Sequence, residues 1–218
     1  MRLGKRIERY GKQRLLGVLK GLFRIERAAF SDFDRDSVSK ILVVRQDSRL
    51  GNLVLMTPLL AGLREAFPGA RIDVLVAEGF HDVYRNCPFV DSLLVFEKRK
   101  ARLFPWWYPA FVRRLRGIGY DLAVEVSNGH VFSFNNVLLT ALAGARYSVG
   151  YDRKDAGSFL NLLVPVPPED MHMADAMFGL VKFLSPGVHC LPARYFLGET
   201  DREFADIWMA EQGYGPDE

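Results

Sequence analysis

Cysteine is scarce in this chain, and the patterns that identify several common classes of protein are missing. The 218 residues include two cysteines, Cys87 and Cys190, which stand far apart and outside any CxxC or Cys/His cluster. The sequence therefore predicts neither a disulfide framework nor a zinc site, and a reducing cytoplasm is the simpler assumption. No apolar run reaches the roughly 18 residues needed to cross a bilayer, and the N-terminus lacks the apolar core and cleavage site of a signal peptide. We expect the protein to stay in the compartment where it is made.

Charge is nearly balanced overall but unevenly distributed. The formal net charge is +3, yet the first 27 residues hold nine Lys or Arg against only Glu8 and Glu26. Residues 1–30 also have an amphipathic pattern that predicts a helix. Such a helix either lies in the headgroup region of an anionic membrane or packs on the protein itself or on a partner. The concentration of basic residues and the glycines in this segment favour the membrane.

From Ile41 onward, apolar runs of strand length alternate with helical patterns. The first run, Ile41 to Val44, has no alternation, which is typical of a strand buried on both faces. This alternation predicts βαβ units with right-handed crossovers, and hence a Rossmann-like parallel sheet with helices on both faces. Predicted strands are 41–44, 72–76, 92–96, 122–126 and 147–150, and predicted helices are 51–67, 78–86, 108–118, 135–143 and 172–184.

Breaks in this rhythm suggest three parts of the chain. Residues 1–39 are expected to be the basic helix and a linker, and residues 40–186 the α/β domain. Proline and glycine near 186–187 indicate a boundary, after which a helix from about 200 to 212 begins a new unit. We expect residues 187–218 to be a linker and the start of a truncated second domain.

A polar turn follows the first strand and leads directly into a helix. It contains Arg45, Asp47, Arg49 and Asn52, but neither a GxGxxG fingerprint nor a P-loop lysine. Ligands of open α/β sheets gather at the carboxyl edge of the strands, and helix N-termini there attract anions. Arginine grips carboxylates or phosphates and aspartate accepts a hydroxyl proton, so the turn suits an anionic, hydroxyl-rich ligand. The alternative is that Asp47 and Asn52 only cap the turn and the helix.

Two further segments carry candidate binding residues. Asn128 and His130 follow the fourth predicted strand at the same edge, so they are candidates for contact with a sugar hydroxyl; a loop histidine is otherwise often just solvated. Residues 98–116 mix cations with Trp and Tyr. That mixture suits an anionic lipid acceptor or a bilayer, whereas the plainer interpretation is an exposed helix with Trp packed in the core. Nucleic acid is a weaker option because no recognition motif accompanies these charges.

The order and spacing of several segments resemble the family 9 glycosyltransferases, the heptosyltransferases of lipopolysaccharide assembly. The resemblance covers residues 41 to about 184, although no single motif in it is specific. The segments that carry it are Arg45 to Pro58, Ala66 to Val76, Cys87 to Asp91, Tyr120 to Glu125, Leu142 to Tyr151, and His172.

The resemblance implies a GT-B enzyme with two Rossmann-like domains facing a cleft, of which this chain would be the N-terminal, acceptor-binding one. It implies inverting, metal-independent transfer of a heptose or related sugar from a nucleotide sugar such as ADP-heptose, with no cofactor. The acceptor would be an anionic glycolipid of the lipopolysaccharide core type, at the inner face of the cytoplasmic membrane. Most of the C-terminal, nucleotide-sugar-binding domain would be missing from the chain.

The family's catalytic base is the Asp after the turn glycine, and here that position is Asn52. An amide cannot take a proton at neutral pH, so Asp47 is the candidate substitute and Asn52 is expected to orient the acceptor. The expected acceptor-binding residues are Arg45, Arg49, Gly51, Asn128 and His130. The departures from the family leave two rivals open: a non-catalytic sugar- or lipid-binding protein of the same fold, and a nucleotide-binding regulator that uses the Gly51 turn alone.

Overall fold

A computed structural model describes residues 25–127 and 132–214, and its centre is a six-stranded sheet. All strand pairings are parallel, in the order β3-β2-β1-β4-β5-β6. The basic helix was expected over residues 1–30; residues 1–24 lie outside the described residues, as do Asn128 and His130. Residues 25–29 have no regular secondary structure, and Phe30 begins a 3-10 turn, so the helix does not extend over this described part. The strands are β1 (Lys40–Arg45), β2 (Arg71–Ala77), β3 (Ser92–Phe96), β4 (Leu122–Glu125), β5 (Tyr147–Tyr151) and β6 (Leu162–Val164).

Seven α-helices are described, together with short 3-10 turns. They are α1 (Leu50–Val54), α2 (Thr57–Ala66), α3 (Lys98–Leu103), α4 (Trp107–Ile118), α5 (Phe134–Leu142), α6 (Met173–Leu184) and α7 (Glu199–Glu211). Gly119 and Gly144 follow α4 and α5 with φ of 69° and 70°, a left-handed conformation that glycine adopts without a Cβ clash.

The four middle residues of the central strand β1, 41–44, are all apolar because the strand has helices on both faces. Ile41 and Val43 belong to the core shared with α2 and α6. Leu42 and Val44 point the other way, into the core shared with α4 and α5. Burying a side chain of this size contributes about 1.5–3 kcal/mol. The predicted Rossmann-like sheet is therefore confirmed, and the absence of alternation in β1 has its expected cause.

The expected single helix from residue 51 is in fact two helices. α1 ends at Val54 and α2 begins at Thr57, where the Thr57 hydroxyl donates to the Val54 carbonyl at 2.8 Å. Pro58 has no N–H to continue the first helix, but at the second position of a new helix no such donor is needed. The predicted apolar stripe is nonetheless buried completely, at Leu53, Met56, Leu59, Leu60 and Leu63.

Three other elements differ from the sequence prediction. β6 was not predicted, because it has three residues and a proline follows it at once. α3 was not predicted, because it is a short helix without a buried residue. The helix expected over 78–86 is only a 3-10 turn, His81–Tyr84. In the described part of the chain, no helix has both the length and the apolar character needed to span a bilayer.

Candidate active site at the carboxyl edge of the sheet

A polar cavity opens at the point where successive strands change from one side of β1 to the other. β2 and β3 extend the sheet to one side of β1, and β4 to β6 extend it to the other. In open α/β sheets, this reversal leaves a crevice at the carboxyl ends of the strands, where ligands bind. The cavity has a volume of about 200 Å³, and it is lined by Arg45, Gln46, Asp47, Arg49, Asn52, Ser127, Ser133, Asn136 and Met173.

Two larger hollows lie elsewhere and lack a comparable set of polar side chains. One, of about 390 Å³, lies between β3 and α4. The other, of about 620 Å³, has apolar walls from Phe30, Phe183 and the proline-rich segment after β6. The smaller cavity is the better candidate for chemistry, because it gathers charged, amide and hydroxyl groups at the switch point.

The Asp47 carboxylate is held on the cavity wall by three donors. Its Oδ2 accepts hydrogen bonds from Arg45 Nη2 at 2.8 Å and from Asn52 Nδ2 at 2.7 Å. Its Oδ1 accepts the backbone N–H of Arg49 at 3.1 Å. Since a carboxylate offers about four lone-pair positions, Oδ1 is the oxygen with room for a further donor. The side chain remains 19% exposed, so a ligand in the cavity can reach it.

The same contacts set the charge of this carboxylate. Burial by itself raises the pKa of Asp47, but the hydrogen bond from Asn52 and the charge of Arg45 act in the opposite direction. The net pKa lies below the ordinary value of 3.8. Asp47 is therefore ionised at neutral pH and able to accept a hydrogen bond from a hydroxyl group.

Arg45 supports Asp47 from inside the protein. It is 2% exposed, and its Nη1 donates to the Val126 carbonyl at 2.8 Å while its Nη2 binds Asp47. Burial lowers the pKa of Arg45 and the charge of Asp47 opposes this effect, but a guanidinium keeps its proton in proteins. Both terminal nitrogens are thus engaged within the chain, and the most direct effect of Arg45 is to fix the position and charge of Asp47.

Asn52 donates a hydrogen bond to Asp47 from its amide nitrogen. Only Nδ2 can donate to the carboxylate, so the carbonyl Oδ1 of Asn52 is left to accept a hydrogen bond from a ligand. Gly51, in the same short helix, has open space where a Cβ would be. Arg49 lies at the cavity mouth with its side chain 80% exposed, and its Nε is 3.9 Å from Asp47 Oδ1. The structure thus brings Arg45, Asp47, Arg49 and Asn52 together, as the sequence predicts.

Sequence analysis missed a series of linked hydrogen bonds that forms the opposite wall of the cavity. Asn136, on α5, accepts the N–H of Gln46 at 3.1 Å and donates to the Ser127 hydroxyl at 2.9 Å. Ser127 in turn donates to the buried carboxylate of Glu125, at the end of β4. The turn after β1 is therefore fixed from both sides, by Arg45 on one and Asn136 on the other.

A buried ion pair lies at the inner end of this series of hydrogen bonds. Glu125 is fully buried, Arg153 is 6% exposed, and Arg153 Nη2 lies 2.5 Å from Glu125 Oε2. Burial raises the pKa of Glu125, against the opposing charge of Arg153 and the hydrogen bond from Ser127. Gly150 of β5 leaves room for this carboxylate, since a Cβ there would lie 3.2 Å from Glu125 Cβ and 2.6 Å from Leu160.

His172, which the sequence places at the start of a helix, is the N-terminal cap of α6. Its Nδ1 accepts the N–H of Ala174 at 3.3 Å, and the next residue, Met173, lines the cavity. Among the residues that the structure describes, no group of three or more His, Cys, Asp or Glu side chains is arranged to hold a metal ion.

Sequence comparison finds one similar curated protein. Lipopolysaccharide heptosyltransferase 1 of Pseudomonas aeruginosa is 27% identical over 123 residues, which are 54% of this chain and 33% of that protein. No protein-family model matches the chain. The chain spans about a third of the length of this relative.

Comparison of folds finds solved glycosyltransferase structures. The family 9 glycosyl transferase of Veillonella parvula matches with a TM-score of 0.69 and 20% identity, over 82% of this chain and 50% of that one. The Escherichia coli heptosyltransferase WaaC with ADP-2-deoxy-2-fluoro heptose matches with a TM-score of 0.59 and 21% identity, over 72% of this chain and 51% of that one. The chain thus shares its fold with about half of each of these proteins.

Proposed function

We propose that this chain, a heptosyltransferase-like member of glycosyltransferase family 9, binds a sugar acceptor at the Asp47 cavity and activates its hydroxyl group. The observation that supports this most directly is the Asp47 carboxylate itself. It is ionised, 19% exposed to the cavity, and held so that one oxygen has room for a further donor. An acceptor hydroxyl that donates to Oδ1 would be positioned for deprotonation.

In the proposed reaction, the acceptor oxygen attacks the anomeric carbon of a nucleotide sugar and its proton passes to Asp47. The bond from that carbon to the nucleotide diphosphate breaks, and the diphosphate leaves with the electron pair. Attack from the face opposite the leaving group inverts the configuration. The low pKa of Asp47 makes it a weak base, so the proton transfers late, when the new bond to carbon has already made the hydroxyl acidic.

Asn52 and Arg49 have the binding roles in this proposal. The amide nitrogen of Asn52 is bound to Asp47, so its carbonyl oxygen is the group that accepts a second acceptor hydroxyl and holds the sugar in place beside the base. Arg49 is the exposed cation at the mouth, and it suits a phosphate or carboxylate on the acceptor. An anionic glycolipid of the lipopolysaccharide core type has both groups.

The second substrate of the proposed reaction is a nucleotide-sugar donor. The chain spans about half of the solved proteins that it matches, and WaaC was solved with an ADP-sugar analogue. We therefore expect a nucleotide sugar such as ADP-heptose to be held by a second domain facing the cavity. The Asp47 wall would form the acceptor side of the resulting cleft.

The test is a sugar-transfer assay on the chain together with any residues that its gene encodes after Glu218. Release of ADP from ADP-heptose in the presence of lipopolysaccharide-core acceptor is compared between the natural sequence and Asp47→Asn. Asp82→Asn is the matched control, because Asp82 is an exposed aspartate in an ion pair outside the cavity. We expect Asp47→Asn to lower kcat about 10²-fold or more and the control to be unchanged. Equal activity of the two variants would refute the role of Asp47.

A non-catalytic sugar- or lipid-binding protein of the same fold is the rival, and Asn52 is the observation that favours it. This alternative predicts that the natural sequence binds the acceptor but releases no ADP from any nucleotide sugar. Calorimetry with acceptor alone, run beside the transfer assay, separates the two. Tight binding of ADP by the chain alone would instead support a nucleotide-binding regulator.

The proposed location is the cytoplasmic face of the inner membrane, with peripheral attachment through residues 1–30. The basic and amphipathic character of this segment supports the proposal. Co-sedimentation with anionic liposomes, with and without residues 1–30, tests it. Equal pelleting of the two forms would rule out this segment as the anchor.

A further inference from the structure

The surface after β3 combines exposed cations with exposed apolar side chains. We name it the α3 surface and define it as α3 together with Phe104, Pro105 and Trp106. Leu103, Phe104 and Trp106 are 58%, 43% and 69% exposed, and the rings of Phe104 and Trp106 lie 5.4 Å apart. Exposed aromatic residues gathered at one tip are unusual unless something covers them.

The charge of this surface is of one sign. From residue 98 to residue 116 there are seven Lys or Arg and no acidic residue. Lys98, Arg99 and Arg102 are exposed and have no carboxylate partner among the described residues, whereas Lys100 pairs with Glu97 at 2.8 Å. An ordinary solvated helix would carry both signs, so the excess indicates an anionic partner.

Helix α7 provides an internal comparison. It also exposes large apolar side chains, at Phe204, Ile207 and Trp208, but five acidic residues and one Arg lie between 199 and 211. Two exposed apolar surfaces on one chain therefore have opposite charge. Of these two surfaces, the α3 surface is the one with the composition of an anionic-membrane contact, since Trp and Phe suit the headgroup level and cations stand beside them.

We infer that the α3 surface docks on an anionic lipid bilayer, with Leu103, Phe104 and Trp106 entering the headgroup region and Lys98, Arg99 and Arg102 facing lipid phosphates. This contact is separate from residues 1–30. It rests on described side chains and not on the proposed sugar transfer. In the proposed sugar transfer, this contact would hold the bilayer near the acceptor cavity, because α3 begins just after the carboxyl end of β3.

The position of α3 would bring the bilayer to the acceptor cavity. The Asp47 turn follows β1, and only β2 separates β1 from β3. Neighbouring strands are about 4.8 Å apart, so the two strand ends are about 10 Å apart along the same edge of the sheet. A glycolipid held in the bilayer would therefore present its sugars near Asp47.

A site-specific fluorescence experiment tests the inference directly. The full chain is mixed with phosphatidylglycerol/phosphatidylcholine vesicles that contain brominated acyl chains, and quenching of tryptophan is measured. We expect quenching to be largely lost in Trp106→Phe and retained in Trp208→Phe, the matched control for an exposed tryptophan. Quenching that survives in Trp106→Phe, or bound vesicles that cause no quenching, would overturn the inference.

The charges are tested by vesicle affinity. Each basic residue near an anionic surface contributes about a fivefold factor, so Lys98→Gln/Arg99→Gln/Arg102→Gln is expected to bind about a hundredfold more weakly. Phe204→Ser/Ile207→Ser on α7 is the control and should bind as the natural sequence does. Unchanged affinity of the charge variant would overturn the inference, as would tighter binding to single-stranded RNA than to vesicles. Both measurements omit the sugar donor, so their failure is distinct from a failure of sugar transfer.

Discussion

Removing Arg153 should destabilise the protein strongly, because the partner it leaves behind is Glu125, a fully buried carboxylate. Breaking a buried ion pair by deleting one partner costs about 3–5 kcal/mol. The free energy of unfolding of a typical domain is about 5–15 kcal/mol, so Arg153→Met should remove a large share of it. By contrast, the exposed pair of Arg85 with Asp82, 66% and 57% exposed, should be worth less than about 1 kcal/mol.

The assay is urea unfolding at neutral pH of the natural sequence, of the single variants Arg153→Met, Glu125→Gln and Arg85→Met, and of the double variant Glu125→Gln/Arg153→Met. We expect the double variant to recover much of the loss, because no uncompensated charge then remains in the interior. The reasoning is refuted if Arg153→Met costs no more than Arg85→Met. It is also refuted if the losses from Glu125→Gln and Arg153→Met simply add in the double variant.

The pH dependence of Arg153→Met has a definite sign. Burial already raises the pKa of Glu125 above its ordinary 4.5, and loss of the opposing Arg153 charge raises it further. Between the unfolded and folded pKa values, the folded state binds more protons than the unfolded state, so stability falls as pH rises through that window. The penalty of Arg153→Met should therefore shrink from neutral toward acidic pH. A penalty that grows on acidification would contradict this assignment.

Three further predictions follow from other contacts. Asn52→Asp places a second carboxylate against Asp47, so one of the two pKa values should rise, and the variant should gain stability relative to the natural sequence on acidification in urea unfolding. Gly150→Ala should cost about 1–3 kcal/mol of unfolding free energy, because its Cβ would press on Glu125 and Leu160; Gly187→Ala, with open space around it, is the control. Tyr120→Phe should cost about 1–3 kcal/mol in the same assay, since Asp73, fully buried, loses the hydroxyl that donates to its Oδ2 at 2.7 Å.

The sequence could reveal those site residues that lie close together along the chain. Arg45, Asp47, Arg49 and Asn52 stand within eight positions, directly after the apolar run 41–44, so they share one end of a strand and the turn that follows it. The short helix α1 and the break before Thr57 escaped prediction, because the apolar spacing continues unchanged through both. Apolar periodicity predicts which side chains are buried, but it does not show where one helix ends and the next begins.

The opposite wall could not be found in this way, because its members are distant in sequence. Asn136 contacts Gln46 across 90 positions, and Arg153 reaches Glu125 across 28. One signal was present: Glu125 is a lone carboxylate within an otherwise apolar strand, and a buried carboxylate requires a partner. The strand after it ends at Tyr151, and Arg153 is the first cation beyond that end. Neighbouring parallel strands end at the same edge, which makes this arginine the natural candidate.

The buried network also bears on how the site responds to a ligand. While Glu125 is ionised, Ser127 donates to it, so the Ser127 oxygen accepts from Asn136 and the carbonyl of Asn136 is left for the N–H of Gln46. The donor and acceptor directions of Ser127 and Asn136 thus follow from the negative charge of Glu125. If Glu125 were neutralised to Gln, its amide would offer a donor to Ser127 as well as an acceptor, and these directions would no longer be fixed. In the transfer assay, Glu125→Gln should therefore disturb the geometry of the Asp47 turn, and so kcat, more than acceptor affinity. A variant with unchanged kcat and weakened acceptor binding would show that this wall contacts the sugar directly.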